Sequence, residues 1–244
     1  MAQKTDRPSW EYYAAHPAMA KRFAGAMATF ADAPGISPTL LAKNYPWASL
    51  SGGSGLVVDV GGSKVNISAV IAQSVPELRF VVQDLPGAKL DAKKTLPQDV
   101  AERIEFMDHD FFHDQPVNAD AFLFRTIFHN WPDDYVVKIL RAMIPGLKHS
   151  GKIIINDYLI PEPNTMSLME ERTIRYVVAD HCAANIAELA REMDMIMLTL
   201  FNSRDRERHE WVRLFGQTDP RFRDVKAWVP DGSVLAIIEA TWSE

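Results

Sequence analysis

The chain of 244 residues holds one cysteine, Cys182, so an internal disulfide is excluded and a reducing compartment suits it. No Lys/Arg cluster stands out and the net charge is −6, which argues against nucleic acid and anionic membrane surfaces as partners. No uninterrupted apolar run approaches the roughly 20 residues of a membrane-spanning helix. The opening residues Met1 to Pro8 lack the apolar core of a signal peptide. A soluble, cytoplasmic protein is expected. Neither Gly-x-Ser-x-Gly nor a P-loop is present, which argues against serine hydrolase chemistry and P-loop nucleotide hydrolysis. His109, His113, His149, His181 and His209 form no pair or trio at metal-ligand spacing, and Cys182 has no cysteine partner, so no metal site is expected. Internal repeats and low-complexity tracts are absent too.

What is present is enough apolar residue, 47%, for a sizeable core. The organising stretch is Leu56 to Ser68, where an apolar run ends in Asp59, Gly61-Gly62 make a tight turn and a helical pattern (Ile67, Val70, Ile71) follows. That is the first half of a βαβ unit, of the kind that brings backbone N–H groups up to a ligand. A second apolar strand, 78–83, ends at Asp84, about 25 residues after Asp59, where a carboxylate can accept hydrogen bonds from a ribose. Gly-Gly after a strand also occurs in α/β proteins that bind nothing there.

Further strands are expected at 104–107, 119–124 and 152–157, with a helix from about Asp134 to Lys148. Such alternation implies a largely parallel sheet with helices on both faces. Two final runs, 224–229 and 234–241, flank Pro230-Asp231-Gly232-Ser233 as an antiparallel hairpin. Trp10 to about Phe30 reads as an amphipathic helix, followed by a Pro/Ser/Gly-rich connector. This divides the chain into an amino-terminal helical segment, 1–55, and an α/β domain, 56–244. Within the latter, 166–201 is a Met-rich helical insertion (Met166, Met169, Met193, Met195, Met197), and a helix over 207–215 follows it.

Ligands of open parallel sheets bind beyond the carboxyl ends of the strands. Asp59, Gly61, Gly62, Asp84, His109 to Phe112, Arg125 to Asp134 and Asp157 all follow strands and converge on one rim. His129 is the best candidate base there, ahead of a helix start marked by Pro132 and two aspartates. Alternatively it packs on Trp131 or caps that helix. Asp157, on the neighbouring strand, and Glu210, beside Trp211, are acids that could hold its tautomer. Glu210 could equally be a solvated helix acid.

Taken together, Val58-Asp59-Val60-Gly61-Gly62, Gln83-Asp84-Leu85-Pro86, His109-Asp110-Phe111-Phe112, Arg125 through Asp134, Phe201 through Arg206 and Glu210-Trp211 resemble the S-adenosylmethionine-dependent O-methyltransferases of the caffeate/flavonoid type, particularly fungal secondary-metabolite members. The resemblance spans roughly 8–244 and implies a Rossmann-like class I methyltransferase sheet. It implies Asp59, Gly61 and Gly62 at the cofactor's amino-acid end, Asp84 at its ribose, Asp110 and Phe111 flanking its adenine, and Leu85 and Arg125 also beside the cofactor. It also implies His129 as the base that takes a phenolic proton, with Asp157 and Glu210 as supporting acids. Phe23, Met27, Met193 and Met197 would line the pocket for an aromatic or polyketide-like acceptor; as core residues they need no function.

Three departures qualify this. Val65 stands where the family loop has its last glycine, and a β-branched side chain there works against cofactor affinity. Asn130 replaces an aspartate after the base, and Asp157 is one methylene shorter than the usual glutamate. The amino-terminal dimerisation domain of the family is not seen, and Tyr176 to about Glu188 looks inserted. A homodimer through the Met-rich helices is expected. Two alternatives to methyl transfer stay open. One is a methyltransferase-like enzyme that uses the same cavity for a cyclisation, elimination or pericyclic step. The other is a non-catalytic binding or regulatory partner.

Overall fold

The computed structural model describes residues 34–62, 66–86, 96–160 and 186–243, with scattered positions between 12 and 25. Most of the helix expected over Trp10 to Phe30, including Phe23 and Met27, lies outside the described residues, as do Val65 and the greater part of the expected insertion.

The elements are α1 (Pro38–Asn44), β1 (Leu56–Val60), α2 (Asn66–Ser74), β2 (Arg79–Asp84), α3 (Gln98–Ala101), β3 (Ile104–Asp108), β4 (Ala119–Arg125), α4 (Asp133–Met143), β5 (Leu147–Asp157), β6 (Leu159–Ile160), α5 (Ile186–Phe201), β7 (Arg206–Glu207), α6 (Arg208–Thr218), β8 (Phe222–Trp228) and β9 (Ala236–Trp242). Seven strands form one sheet in the order β3-β2-β1-β4-β5-β9-β8. Five of them are parallel. β9 runs antiparallel to both β5 and β8, so the expected closing hairpin inserts its second strand next to the parallel core. β6 and β7 make a separate parallel pair.

The central strands carry apolar side chains to both faces because helices cover both. Val58, Val60, Phe122 and Phe124 join Val136, Ile139, Leu140, Leu214 and Phe215 of α4 and α6 on one side. Val57, Ala121 and Leu123 join Leu41, Ala69 and Ile71 of α1 and α2 on the other. The alternation along β1 and β4 is thus a division between two cores rather than between core and solvent.

α4 starts as its sequence predicts, with Pro132 before it and Asp133 and Asp134 in the first turn, where acids complement the helix dipole. It stops at Met143, earlier than the expected Lys148. Pro145 supplies no N–H to continue the ladder, and a Cβ on Gly146 would lie 2.5 Å from the Val117 carbonyl. β5 therefore begins at Leu147, which pairs with Ala119, and a bulge precedes Lys152, which pairs with Ala121. The expectation that this strand starts at Lys152 captured only its regular part.

Phe124 is fully buried, and its ring lies 4.6 Å from that of Phe128, beside the base candidate. Phe124→Ala is expected to destabilise the fold by about 3–5 kcal/mol, measured by thermal or urea unfolding.

Candidate active site

Asp59 ends β1 and is 1% exposed. One carboxylate oxygen accepts from Ser68 Oγ at 2.5 Å, and Oδ1 has no partner. Burial pushes its pKa up to about 6, against the opposing pull of Ser68 and Arg125. Gly61 lies at φ +72, and its N–H and that of Gly62 donate to the Gln83 carbonyl at 2.8 and 3.2 Å. These two amides hold β1 to β2 and are not presented to a ligand, which corrects the simplest reading of the turn. What the glycines provide is space. A Cβ on Gly61 would lie 2.7 Å from Ile127 Cδ1, and one on Gly62 would lie 2.6 Å from the Asp59 carboxylate and 2.7 Å from Val82.

Asp84 Oδ1 accepts from the Leu85 N–H at 2.7 Å, and the Leu85 side chain is exposed. Asp110 caps its own loop through the Phe112 N–H at 3.0 Å. Phe111 and Phe112 both stand edge-on to Trp131, which stacks on Tyr135, so an aromatic wall joins the loops after β3 and β4. Arg125 donates to the Asn156 side chain and the Ile36 carbonyl. Burial pushes its pKa down, while the charges of Asp59 and Asp157 hold it up, so Arg125 links the ends of β1, β4 and β5.

His129 sits in a 3₁₀ turn, Phe128–Asn130, reached through Thr126 at φ 50, a rare conformation for a β-branched residue. Its backbone N–H donates to Asp157 Oδ2 at 3.1 Å. Its Nδ1 lies 3.3 Å from Asp157 Oδ1 and 3.9 Å from Asp205 Oδ1. Nδ1 thus faces both carboxyl groups, yet it is not aligned for a hydrogen bond with either. Catalytic hydrogen bonds without substrate are often long in this way. The Tyr158 ring lies nearly parallel to the imidazole, 6.0 Å away.

The two acids meet because of the β6–β7 ladder, in which Leu159 pairs with Arg206. Asp157 comes two residues before one strand and Asp205 one residue before the other, so the pairing closes both carboxylates on the same side of His129. Asp205 is 2% exposed with neither side-chain oxygen partnered. Burial first, then the charges of Asp157 and Asp194, push its pKa up to about 8.

Glu210, expected as the second supporting acid, is engaged elsewhere. It meets Arg204 at 2.5 Å and accepts the Glu207 N–H at 3.1 Å, as the third residue of α6 capping its start. Burial pushes its pKa up, but those hydrogen bonds outweigh it and hold it below the ordinary value. The acid beside the ring is Asp205, which sequence reasoning placed in a motif without giving it a role; its signal was an acid between two arginines. Met197 packs with Ile36, Tyr158 and Leu235, and the side chain of Met193 lies outside the described residues. The donor atoms of His129, Asp157 and Asp205 all lie within 4.8 Å of one another, a spacing at which a cation could be held. No helix among the described residues is long and apolar enough to cross a membrane.

This fold recurs in solved methyltransferase structures. An O-methyltransferase (NcsB1) from neocarzinostatin biosynthesis, solved with S-adenosylmethionine and 2-hydroxy-5-methyl naphthoic acid, superposes with a TM-score of 0.71 at 23% identity, over 96% of this chain and 60% of that one. The fold is that of a class I S-adenosylmethionine methyltransferase. Residues 6–219 match the O-methyltransferase domain, and the chain belongs to that family. The grayanic acid biosynthesis cluster O-methyltransferase of Cladonia grayi is 49% identical over 244 residues, covering 99% of this chain and 50% of that protein. O-methyltransferase pyvH of Aspergillus violaceofuscus (strain CBS 115571) is 43% identical over 98% of this chain and 54% of its own length. The chain thus spans about half the length of these curated relatives.

Asp205 and Asp59 make stability fall with rising pH. In the unfolded chain both lose their protons near 3.8, whereas the folded chain keeps them to about 8 and about 6. More protons are bound at these two groups when folded, so their contribution to the unfolding free energy declines from about pH 4 to about pH 8 and then levels. Asp205→Asn is expected to flatten the part of this slope above pH 6, in urea unfolding at a series of pH values.

Proposed function

We propose that the chain is the catalytic part of an S-adenosylmethionine-dependent O-methyltransferase acting on a phenolic hydroxyl of a small aromatic secondary metabolite, with His129 as general base. The observation that carries this reading is His129 at the end of β4 with Nδ1 turned to Asp157 and Asp205, all three buried. The site fits the cofactor. Asp59 keeps an orphaned buried oxygen at the end of β1, and the turn beside it tolerates no side chain at Gly61 or Gly62. Asp59, Gly61 and Gly62 would meet the amino-acid end, Asp84 the ribose, and Leu85, Asp110 and Phe111 the adenine, with Arg125 close by. The cofactor supplies a methyl group on a positively charged sulfur.

The protein's part follows from its geometry. With a proton on Nδ1, facing the two acids, the ring leaves Nε2 free to take a proton from an acceptor hydroxyl. The imidazolium so formed is stabilised by Asp157, and by Asp205 to the extent that it is ionised. Methyl transfer neutralises charge, so positioning and exclusion of water contribute much of the rate. The aromatic wall of Phe111, Phe112 and Trp131 supports a flat partner on this rim. We place the protein in the cytoplasm and expect two copies to associate through α5, whose Met195, Ile196 and Leu198 are exposed; light scattering should then return twice the chain mass, and a monomer at working concentration would reject the association.

Calorimetry with S-adenosylmethionine is expected to give micromolar binding, tightened in Val65→Gly. Silence at millimolar ligand in both would remove the reading. With 2-hydroxy-5-methyl naphthoic acid, the acceptor named for the structural neighbour, as probe, His129→Ala is expected to lower methyl transfer by about 10²–10⁴-fold with cofactor affinity unchanged. Transfer that persists in His129→Ala would assign the proton to another group.

A further inference from the structure

Arg206 is 1% exposed, one of the largest fully buried side chains in the protein, and it carries a guanidinium. Burying such a charge is costly unless its donors are met. Here they are met by the turn that holds His129. Nη1 donates to the Phe128 carbonyl at 3.0 Å and Nη2 to the Trp131 carbonyl at 2.6 Å. Nη1 also reaches the carbonyl of Arg204 at 3.3 Å, and Nε bonds Asp133 Oδ1 at 2.9 Å. The two carbonyls of the turn lie on either side of His129, one residue before it and two after. The Phe128 carbonyl accepts from Arg206 while also closing the turn with the Trp131 N–H at 3.1 Å. Asp133, the outer end of the clamp, is bound in addition by Arg213 at 2.8 Å and Arg204 at 3.4 Å.

We propose that Arg206 is a positioning residue for the base: its planar fork fixes the Phe128–Trp131 turn at the distance from Asp205 and Asp157 at which both acids face Nδ1. Arg206 follows Asp205 directly, so one dipeptide supplies both a carboxylate to the imidazole and the clamp on the backbone that carries it. The α5–α6 connector and the β4–α4 turn therefore move as one body. The β6–β7 ladder, in which Arg206 pairs with Leu159, ties the same body to the end of β5. A lysine would preserve charge and stem but not the fork, because an ammonium cannot reach two separated carbonyls and a carboxylate in one plane. Had the guanidinium served only to balance the charge of Asp205, lysine would suffice.

The proposal rests on His129 acting as base, so its test has one arm that needs no turnover. Hydrogen–deuterium exchange in Arg206→Lys is expected to speed in the peptide spanning 126–133 while β1 and β5 keep their protection. The second arm is methyl transfer to 2-hydroxy-5-methyl naphthoic acid. There kcat is expected to fall by about 10²-fold, as a displacement near 1 Å at a reacting group does, with the S-adenosylmethionine dissociation constant unchanged. Asp133→Asn, which loosens the clamp from its solvent side, should give a smaller change of the same pattern. Wild-type exchange and kcat in Arg206→Lys would overturn the proposal. So would a uniform loss of protection that includes β1 and β5 in both variants, since that marks a purely structural arginine. If the wild-type chain shows no transfer at all, the reading of the function fails, and the exchange arm decides on the clamp alone.

Discussion

Two carboxylates buried against one imidazole nitrogen are the constraint on which this structure turns. Asp157 and Asp205 are almost fully buried, and burial together with the neighbouring charge of Asp157 raises the cost of ionising Asp205. A chain gains nothing in stability from such a pair, since two apolar residues would fill the space more cheaply. Its return is electrostatic. On the proposed reading, a positive charge arising on the ring would be met by acid already held in place, without waiting for solvent to reorganise. Burial, and then the charges of Asp157 and Asp194, raise the pKa of Asp205, while the Nδ1 of His129 beside it has no hydrogen-bond partner.

The rest of the rim answers to that arrangement. Arg125 stands between the acid at the end of β1 and the acid at the end of β5, and it feels both. Its side chain also bonds the Ile36 carbonyl, so the segment before α1 is fastened to the site rather than to the sheet alone. Ile127, two residues before His129, occupies the space that a side chain on Gly61 would need. The Gly61 turn and the segment that carries His129 therefore adjoin through one isoleucine, and one arginine feels the acids at the ends of both β1 and β5. Crowding one is expected to disturb the other, even though their functional groups sit on different strands.

The legible parts of the fold are those where burial on both faces leaves a continuous apolar run. β1, β2, β4 and the regular half of β5 could be read within a residue or two because their side chains have no solvent-facing alternative. The sequence pattern overruns the end of α4, since the apolar spacing continues to Leu147 while Pro145 has no N–H to carry the helix on. In the site, Asp59, Asp84 and His129 follow strands and could be found by asking what lies beyond each strand end. Asp205 follows no strand of the main sheet. It reaches His129 through two strands of two residues each, whose pairing leaves no periodic trace in the sequence. Glu210, by contrast, looked functional because helix caps and catalytic acids use the same residue type, and only the position of Arg204 separates the two roles.

The central claim is that the acids fix the His129 ring with its proton on Nδ1. Nitrogen-15 NMR of the histidine-labelled protein, held above the titration of the ring, reads the tautomer directly. A protonated Nδ1 with a bare Nε2 is the predicted result, shifting toward a mixture in Asp157→Asn. A ring whose proton sits on Nε2, unmoved by that substitution, would contradict the account.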